Sequence, residues 1–415
     1  MAVQQLVLIG DSLTQGTVGS VSYRLGGQGN WAQFLRERLA NLPGLGPLVS
    51  SGMIGLISGT NAFVFTTGGN AWTTTATTDA WDKAPYGASD NGSTPLLKYA
   101  NGSAKTATWT ATADINYPNV GFCIYYLDYT SAGNWSYSLD GGSTWTAMGQ
   151  TITNGNVIKK FYVATPITST GTVIIRAADT SGTGVGCAPL GIEVFYQTPS
   201  TASGLIVHNV SIGGSDLHHL AATTSGDRLA WFDSVTAGTG CITNTPNLGV
   251  IHENVNDITE VGNTTTWATD LTTLQTRLAP LGPVGFWSAW ELSIAVFGAG
   301  SGQQSYRTKT KTTAAGFSPI SPVLDLYDWL VSNGIVGNTP TNSYGYLFDL
   351  THESQAGHIL FANLIYQWIR QNFLTAYAGY PSTYMATGKQ AAVQYTGKQT
   401  AVQYSAGSQI APVPV

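Results

Sequence analysis

The chain has 415 residues; 43% are hydrophobic, only 9% are charged, and the formal net charge is −5. That length suggests two or three domains, and the hydrophobic fraction is enough for a real core. Its 17 Lys and Arg residues form no basic stripe, which argues against nucleic-acid binding, where cations must displace counterions.

The charged fraction falls well below the about 25% of typical soluble domains. Gly, Thr, Ser and Asn fill the gap, a composition that favours many strands, frequent turns and a weakly charged surface. Cys123, Cys187 and Cys241 match no metal-ligand or Cys-x-x-Cys spacing. They read as small buried residues, with a Cys123–Cys187 disulfide possible. The N-terminus shows no basic region followed by a long apolar run, so no signal peptide is expected. No apolar run approaches the roughly 20 residues that span a bilayer.

Residues 4–9, QQLVLI, read as a short buried strand. A glycine-rich loop follows. NWAQFLRERLANL (30–42) then places Trp31, Phe34, Leu35, Leu39 and Leu42 on one helical face. Asn30 suits the N-cap and Pro43-Gly44 the stop. Strand, loop and helix make the first unit of an α/β sheet. From 51 to 200 the rhythm changes. Alternating runs at 105–113, 120–129, 134–148, 159–167 and 172–179 read as strands, with Asp140-Gly141-Gly142 as a hairpin turn. Several short strands with frequent turns predict a β-sandwich. After Pro199 the α/β rhythm returns. Strands are expected at 204–214, 248–258, 283–290 and 344–350, and helices at 266–281, 318–334 and 356–374. The tail carries GKQAAVQYT (388–396) and then GKQTAVQYS (397–405). One such repeat builds no solenoid, so it reads as an extended or disordered arm of the kind a partner chain orders.

Four strand ends carry residues suited to chemistry, where an α/β sheet builds its site. In Gly10-Asp11-Ser12-Leu13 the serine is either a nucleophile at the sheet's mouth or part of an Asp-Ser turn. In Asp349-Leu350-Thr351-His352 a carboxylate three residues before a histidine can fix its tautomer, or both belong to a helix-capping loop. In Ser211-Ile212-Gly213-Gly214 a glycine N–H can meet an oxyanion, or it simply turns the chain. In Asn254-Val255-Asn256-Asp257 an amide can do the same, or make an Asx turn. His218, His219 and His252 lie near the second and third of these places, as cleft residues or ordinary polar positions. His208 reads as a satisfied core residue, and His358 starts the last helix. No pair has metal-ligand spacing, so no metal is proposed.

Taken together, GDSLTQG, NVSIGG, NVND and DLTHESQAG resemble, in order, the four sequence blocks of the SGNH (GDSL-type) hydrolases. Trp31 at the opening of the first helix and Gly357 five residues after His352 resemble the family pattern too. The resemblance implies an α/β fold: a three-layer, flavodoxin-like parallel sheet formed by 1–50 and 203–378. An all-β sandwich at 51–202 would be inserted in it, and 379–415 would form the arm. It implies Ser12 as nucleophile, His352 as general base and Asp349 as its orienting carboxylate. The oxyanion hole would be the N–H of Ser12, the N–H of Gly214 and the side-chain amide of Asn256. Two departures stand out: Asn254 where the family has Gly, and Glu353 where it has Pro after the histidine. The implied activity is a cofactor-free serine esterase acting on O-acyl esters of an envelope glycan or glycolipid. Trp109, Trp135, Tyr137 and Trp145 of the insertion would stack on sugars or fill its core. The absent signal, the weakly charged surface and the repeat also resemble a bacteriophage tail protein. That reading implies a virion location, an oligomer or other tail proteins as partners, and either an active esterase or non-catalytic host binding.

Overall fold

The structure is a computed structural model, and it describes residues 3–15, 17–18, 21–22, 31–40, 42, 45–52, 54–55, 72–74, 81–82, 97–98, 106–112, 118–128, 134–148, 157–167, 172–178, 188–209, 217–221, 248–252, 264–288, 301–332, 354–374, 394–396, 400–402, 404–405 and 408–409.

The chain begins with β1 (Val3–Ile9), the single turn α1 (Ser12–Gln15) and α2 (Trp31–Ala40). Strands follow: β2 (Ile54–Gly55), β3 (Trp72–Thr74), β4 (Thr106–Thr112), β5 (Gly121–Asp128), β6 (Asn134–Ser138), β7 (Thr146–Ala147), β8 (Val157–Val163), β9 (Thr172–Ala178) and β10 (Ala188–Phe195). Strands and helices then alternate. They are β11 (Gly204–Asn209), α3 (Leu217–Ala221), β12 (Leu248–His252), α4 (Thr264–Leu278), β13 (Val284–Ser288), α5 (Ser301–Ala315), β14 (Val323–Asp325) and α6 (Leu326–Ser332). A further helix, α7 (Gln355–Asn372), follows α6.

The parallel sheet has the order β11-β1-β12-β13-β14. β1 is an interior strand, with Leu8 opposite Asn209 on one side and Ile9 opposite Ile251 on the other. Every residue of β1 except Gln4 is buried, as a strand covered on both faces requires. Its side chains alternate between two cores. Val3, Val7 and Ile9 join Ile206, Phe286, and the α3, α4 and α5 residues Leu217, Trp267 and Tyr306. Leu6 and Leu8 join Val207, Trp287, and the α2 and α7 residues Trp31, Leu35, Phe361 and Ile365.

Residues 47–52 carry the ladder beyond β11. Leu205 N donates to Pro47 O at 3.0 Å, and Val49 N donates to Leu205 O at 3.0 Å. On the far side Ser51 N donates to Val194 O at 2.8 Å, and Tyr196 N to Val49 O at 2.9 Å. β10 continues this edge into an antiparallel sheet of order β8-β5-β10-β2. Backbone pairing therefore runs from β14 to β8 without a break. Gly52 makes the close approach possible: its φ is +71°, and a Cβ there would lie 1.9 Å from Val207 O. A second antiparallel sheet has the order β7-β6-β9-β4-β3. Tyr137 of this sheet meets Phe122 of the first edge-on at 5.6 Å. The turn at Asp140 forms as expected, with Gly141 and Gly142 at φ +73° and +92°. Asp140 accepts from Thr144 N at 2.9 Å, Thr144 Oγ1 at 2.6 Å and Ser138 Oγ at 2.7 Å.

Two differences from the sequence reading have physical causes. The helix expected at 318–334 begins only at Leu326. Pro319 and Pro322 disfavour helical backbone before them, and Val323–Asp325 pairs with β13 as a strand. α5 was not expected, because its sequence, SGQQSYRTKTKTTAA, has no apolar stripe. The strand expected at 344–350 lies outside the described residues, as do Cys187 and Cys241; Cys123 is buried in β5. In the tail, Gln394–Thr396 pairs antiparallel with Thr400–Val402. Among the described residues no helix is long and apolar enough to cross a membrane.

Candidate active site

The apolar run of β1 ends where Asp11 captures the backbone. Asp11 is fully buried, and its Oδ1 accepts the N–H of Leu13 at 2.8 Å. That contact makes Asp11 the N-cap of α1, two residues before the N–H it takes. Ser12 is therefore the first residue of a one-turn helix directly beyond the carboxyl end of β1. The turn reading and the nucleophile reading are compatible here: the aspartate makes the turn, and the turn sets the serine backbone.

Two more side chains hold this turn. Trp31 Nε1 donates to Leu13 O at 2.8 Å, and Asn209 Nδ2 donates to Thr14 O at 2.8 Å. Neither contact was expected. From the sequence Trp31 reads as an apolar helix position that fits the family pattern, with no sign of what its N–H bonds. Asn209 ends a strand, with no local signal of what it bonds.

β1 is also where the strand order reverses, with β11 on one side and β12 on the other. At such a switch point, ligands bind beyond the carboxyl ends of the strands. Asn209 and His252 end β11 and β12. Gly214, Asn254 and Asn256 follow these strands and lie outside the described residues, as do Asp349 and His352. α7 gives a further bearing. Near its C-terminal end, Trp368 and Phe373 crowd Gly285 at the start of β13, at 2.6 and 2.5 Å from where a Cβ would sit. Its 18 residues span about 27 Å. Phe361, nearer its start, meets Trp287 farther along β13, so α7 runs against the strands and its N-cap, Ser354, lies toward the carboxyl edge of the sheet. Ser354 accepts the Gly357 N–H at 3.2 Å.

Other expectations resolve individually. His208 is buried in β11; burial first, and the Lys160 charge second, pull its pKa down to about 3. It is a neutral core residue, as read. His218 Nδ1 lies 3.3 Å from both carboxylate oxygens of Asp270, tying α3 to α4. His358 is buried in the first turn of α7. Of the aromatics read as sugar-stacking or core, Trp135 is buried and takes the core alternative. Tyr137 packs on Phe122, and the Arg176 guanidinium covers one face of Trp145 at 3.9 Å. The Trp109 side chain lies outside those described.

No family model matches the chain, and no curated protein matches it in sequence. Among solved structures, a peptidoglycan O-acetylesterase matches 90% of this chain and 92% of its own, with a TM-score of 0.54 and 14% identity. The fold is esterase-like. A lipase/acylhydrolase from Enterococcus faecalis matches 40% of this chain and 76% of its own, with a TM-score of 0.31 and 18% identity. An acetyl xylan esterase matches 40% and 81%, with a TM-score of 0.31 and 15% identity. At these identities the first likeness shows the fold alone, and the two partial ones add nothing to it.

Proposed function

We propose that the chain is an SGNH-type serine esterase. In this reading a three-layer, flavodoxin-like α/β unit of 1–50 and 203–378 carries an inserted β-sandwich at 51–202. The observation that carries the proposal is the position of Ser12. It opens a capped turn beyond the interior strand β1, at the switch point, in an esterase-like fold.

Ser12 Oγ attacks the acyl carbonyl, and His352 accepts its proton. Asp349 orients the imidazole and stabilises its charged form. The oxyanion rests on Ser12 N–H, Gly214 N–H and the Asn256 amide. His352 then protonates the departing alcohol, leaving an acyl-Ser12. Water, deprotonated by His352, attacks that ester and releases the acid. The sequence of steps needs no cofactor. The proposed substrate is an O-acyl ester on an envelope glycan or glycolipid. The likeness to a peptidoglycan O-acetylesterase favours this class.

The test compares wild type with Ser12→Ala on a short-chain p-nitrophenyl ester and on O-acetylated peptidoglycan. The variant is expected to be inactive while remaining folded. Equal rates would overturn the assignment.

A second reading makes the chain an oligomeric phage-tail component that binds a host envelope, with or without turnover. The repeat at 388–405 favours it. Sedimentation of the full chain tests it: a clean monomer counts against it.

A further inference from the structure

We infer that Trp31 is a positioning residue for the nucleophile turn and ties that turn to α7. The inference rests on the reading of Ser12 as nucleophile.

α1 has four residues, too few to satisfy its own carbonyls. Side chains from elsewhere take two of them, Trp31 at Leu13 O and Asn209 at Thr14 O, each at 2.8 Å. Asp11 holds the Leu13 N–H at 2.8 Å. The backbone just after Ser12 is thus gripped at three groups by its own loop, α2 and β11. Asp11, Leu13, Thr14, Trp31 and Asn209 are all buried. A hydrogen bond sheltered from water is stronger, and its loss leaves a buried acceptor unsatisfied.

Trp31 also reaches further than Asn209. Its ring meets Trp287 edge-on, with centroids 5.4 Å apart at 75°. Trp287 in turn meets Phe361 of α7 at 6.2 Å. Residues Leu13, Trp31, Trp287 and Phe361 belong to one packed core. The N-cap of α7, Ser354, lies two positions after His352 in the chain. Proton transfer from Ser12 to His352 requires the two at hydrogen-bond distance, and a misplacement of 1 Å costs about 10²-fold. The indole bonds one partner's backbone while its ring packs toward the helix that follows the other. A purely space-filling role would need the ring of Trp31 but not its N–H.

Trp31→Phe separates these roles, because it keeps an aromatic ring and deletes the donor. Wild type and variant are compared by Tm, by kcat and KM on p-nitrophenyl acetate, and by the rate at which a serine-reactive phosphonate labels Ser12. The expected result is a folded variant whose kcat and labelling rate fall together about tenfold, with KM within about twofold. Should Trp31→Phe fail to fold, benzothienylalanine at position 31 keeps the bicyclic shape and removes only the N–H. A folded variant with wild-type kcat and labelling overturns the inference alone. A wild-type chain that the phosphonate does not label at Ser12 overturns the nucleophile reading, and the inference with it.

Discussion

Glu193 accepts the Tyr125 hydroxyl at 2.5 Å, with both side chains almost wholly out of water. Ser50 Oγ donates to the other carboxylate oxygen. The three groups come from adjacent pieces of one ladder: β10, β5 and the 47–52 segment.

Burial holds the Glu193 carboxyl above its ordinary value of 4.5, and the Ser50 and Tyr125 donors only partly offset it. The folded state therefore keeps its proton to higher pH than the unfolded state does. The stabilising contribution is full below pH 4.5 and is lost as pH rises toward the folded value. Glu193→Gln is expected to remove this loss. Urea midpoints measured from pH 4 to 8 should show the variant gaining on wild type as pH rises, by at most about 1.4 kcal/mol per pH unit.

His208 should act with the opposite sign. Its folded pKa is about 3, against an ordinary 6.5. Its contribution is intact above pH 6.5 and is lost as pH falls from 6.5 toward 3. His208→Gln is expected to flatten the acid limb of the stability profile over that window. Acid titration followed by circular dichroism would measure it.

Gly52 and Gly141 both have φ near +70°, but their surroundings differ. A Cβ on Gly141 meets nothing within 4 Å, so Gly141→Ala should cost only the backbone term, about 1–2 kcal/mol. A Cβ on Gly52 would lie 1.9 Å from Val207 O, which is backbone and cannot swing aside. Gly52→Ala is expected to cost clearly more, about 3 kcal/mol or above, or to prevent folding. Thermal denaturation of the two variants side by side measures the gap.

Asn256→Ala tests the proposed oxyanion donor. The kcat on p-nitrophenyl acetate should fall about 10²- to 10³-fold with little change in KM. A change of less than threefold would remove Asn256 from the proposed hole.

The sequence makes some of this architecture readable and hides the rest. β1, α2 and α7 have short, clean apolar patterns, and their described limits fall within two residues of the expected ones. α5 is hidden because polar side chains line part of its inner face. Arg307 stacks on Tyr327 at 3.8 Å, and Thr310 Oγ1 accepts the Trp267 indole at 2.9 Å while donating to Tyr306 O. No hydropathy pattern reveals that face. β10 is obscured because Glu193 interrupts its apolar run. The 47–52 segment ends in Ser50-Ser51-Gly52, which reads as a loop. Its pairing depends on distant partners, including Ser51 Oγ accepting the Val194 N–H at 3.0 Å. At the candidate site, Ser12 and its aspartate cap are local and so readable. The Asn209 clamp joins residues 195 positions apart and is not.

The unbroken ladder from β14 to β8 bears on how the chain can be cut. Stripping β10 away would turn the 47–52 segment into a free rim. The Ser51 N–H and the Val49 carbonyl, now facing Val194 and Tyr196, would point outward beside Leu48 and Val49. Such a rim is a template for another copy of itself. A fragment trimmed of residues 53–202, which keeps the 47–52 segment and removes β10, should therefore self-associate, and Lys placed at the new rim should restore its solubility.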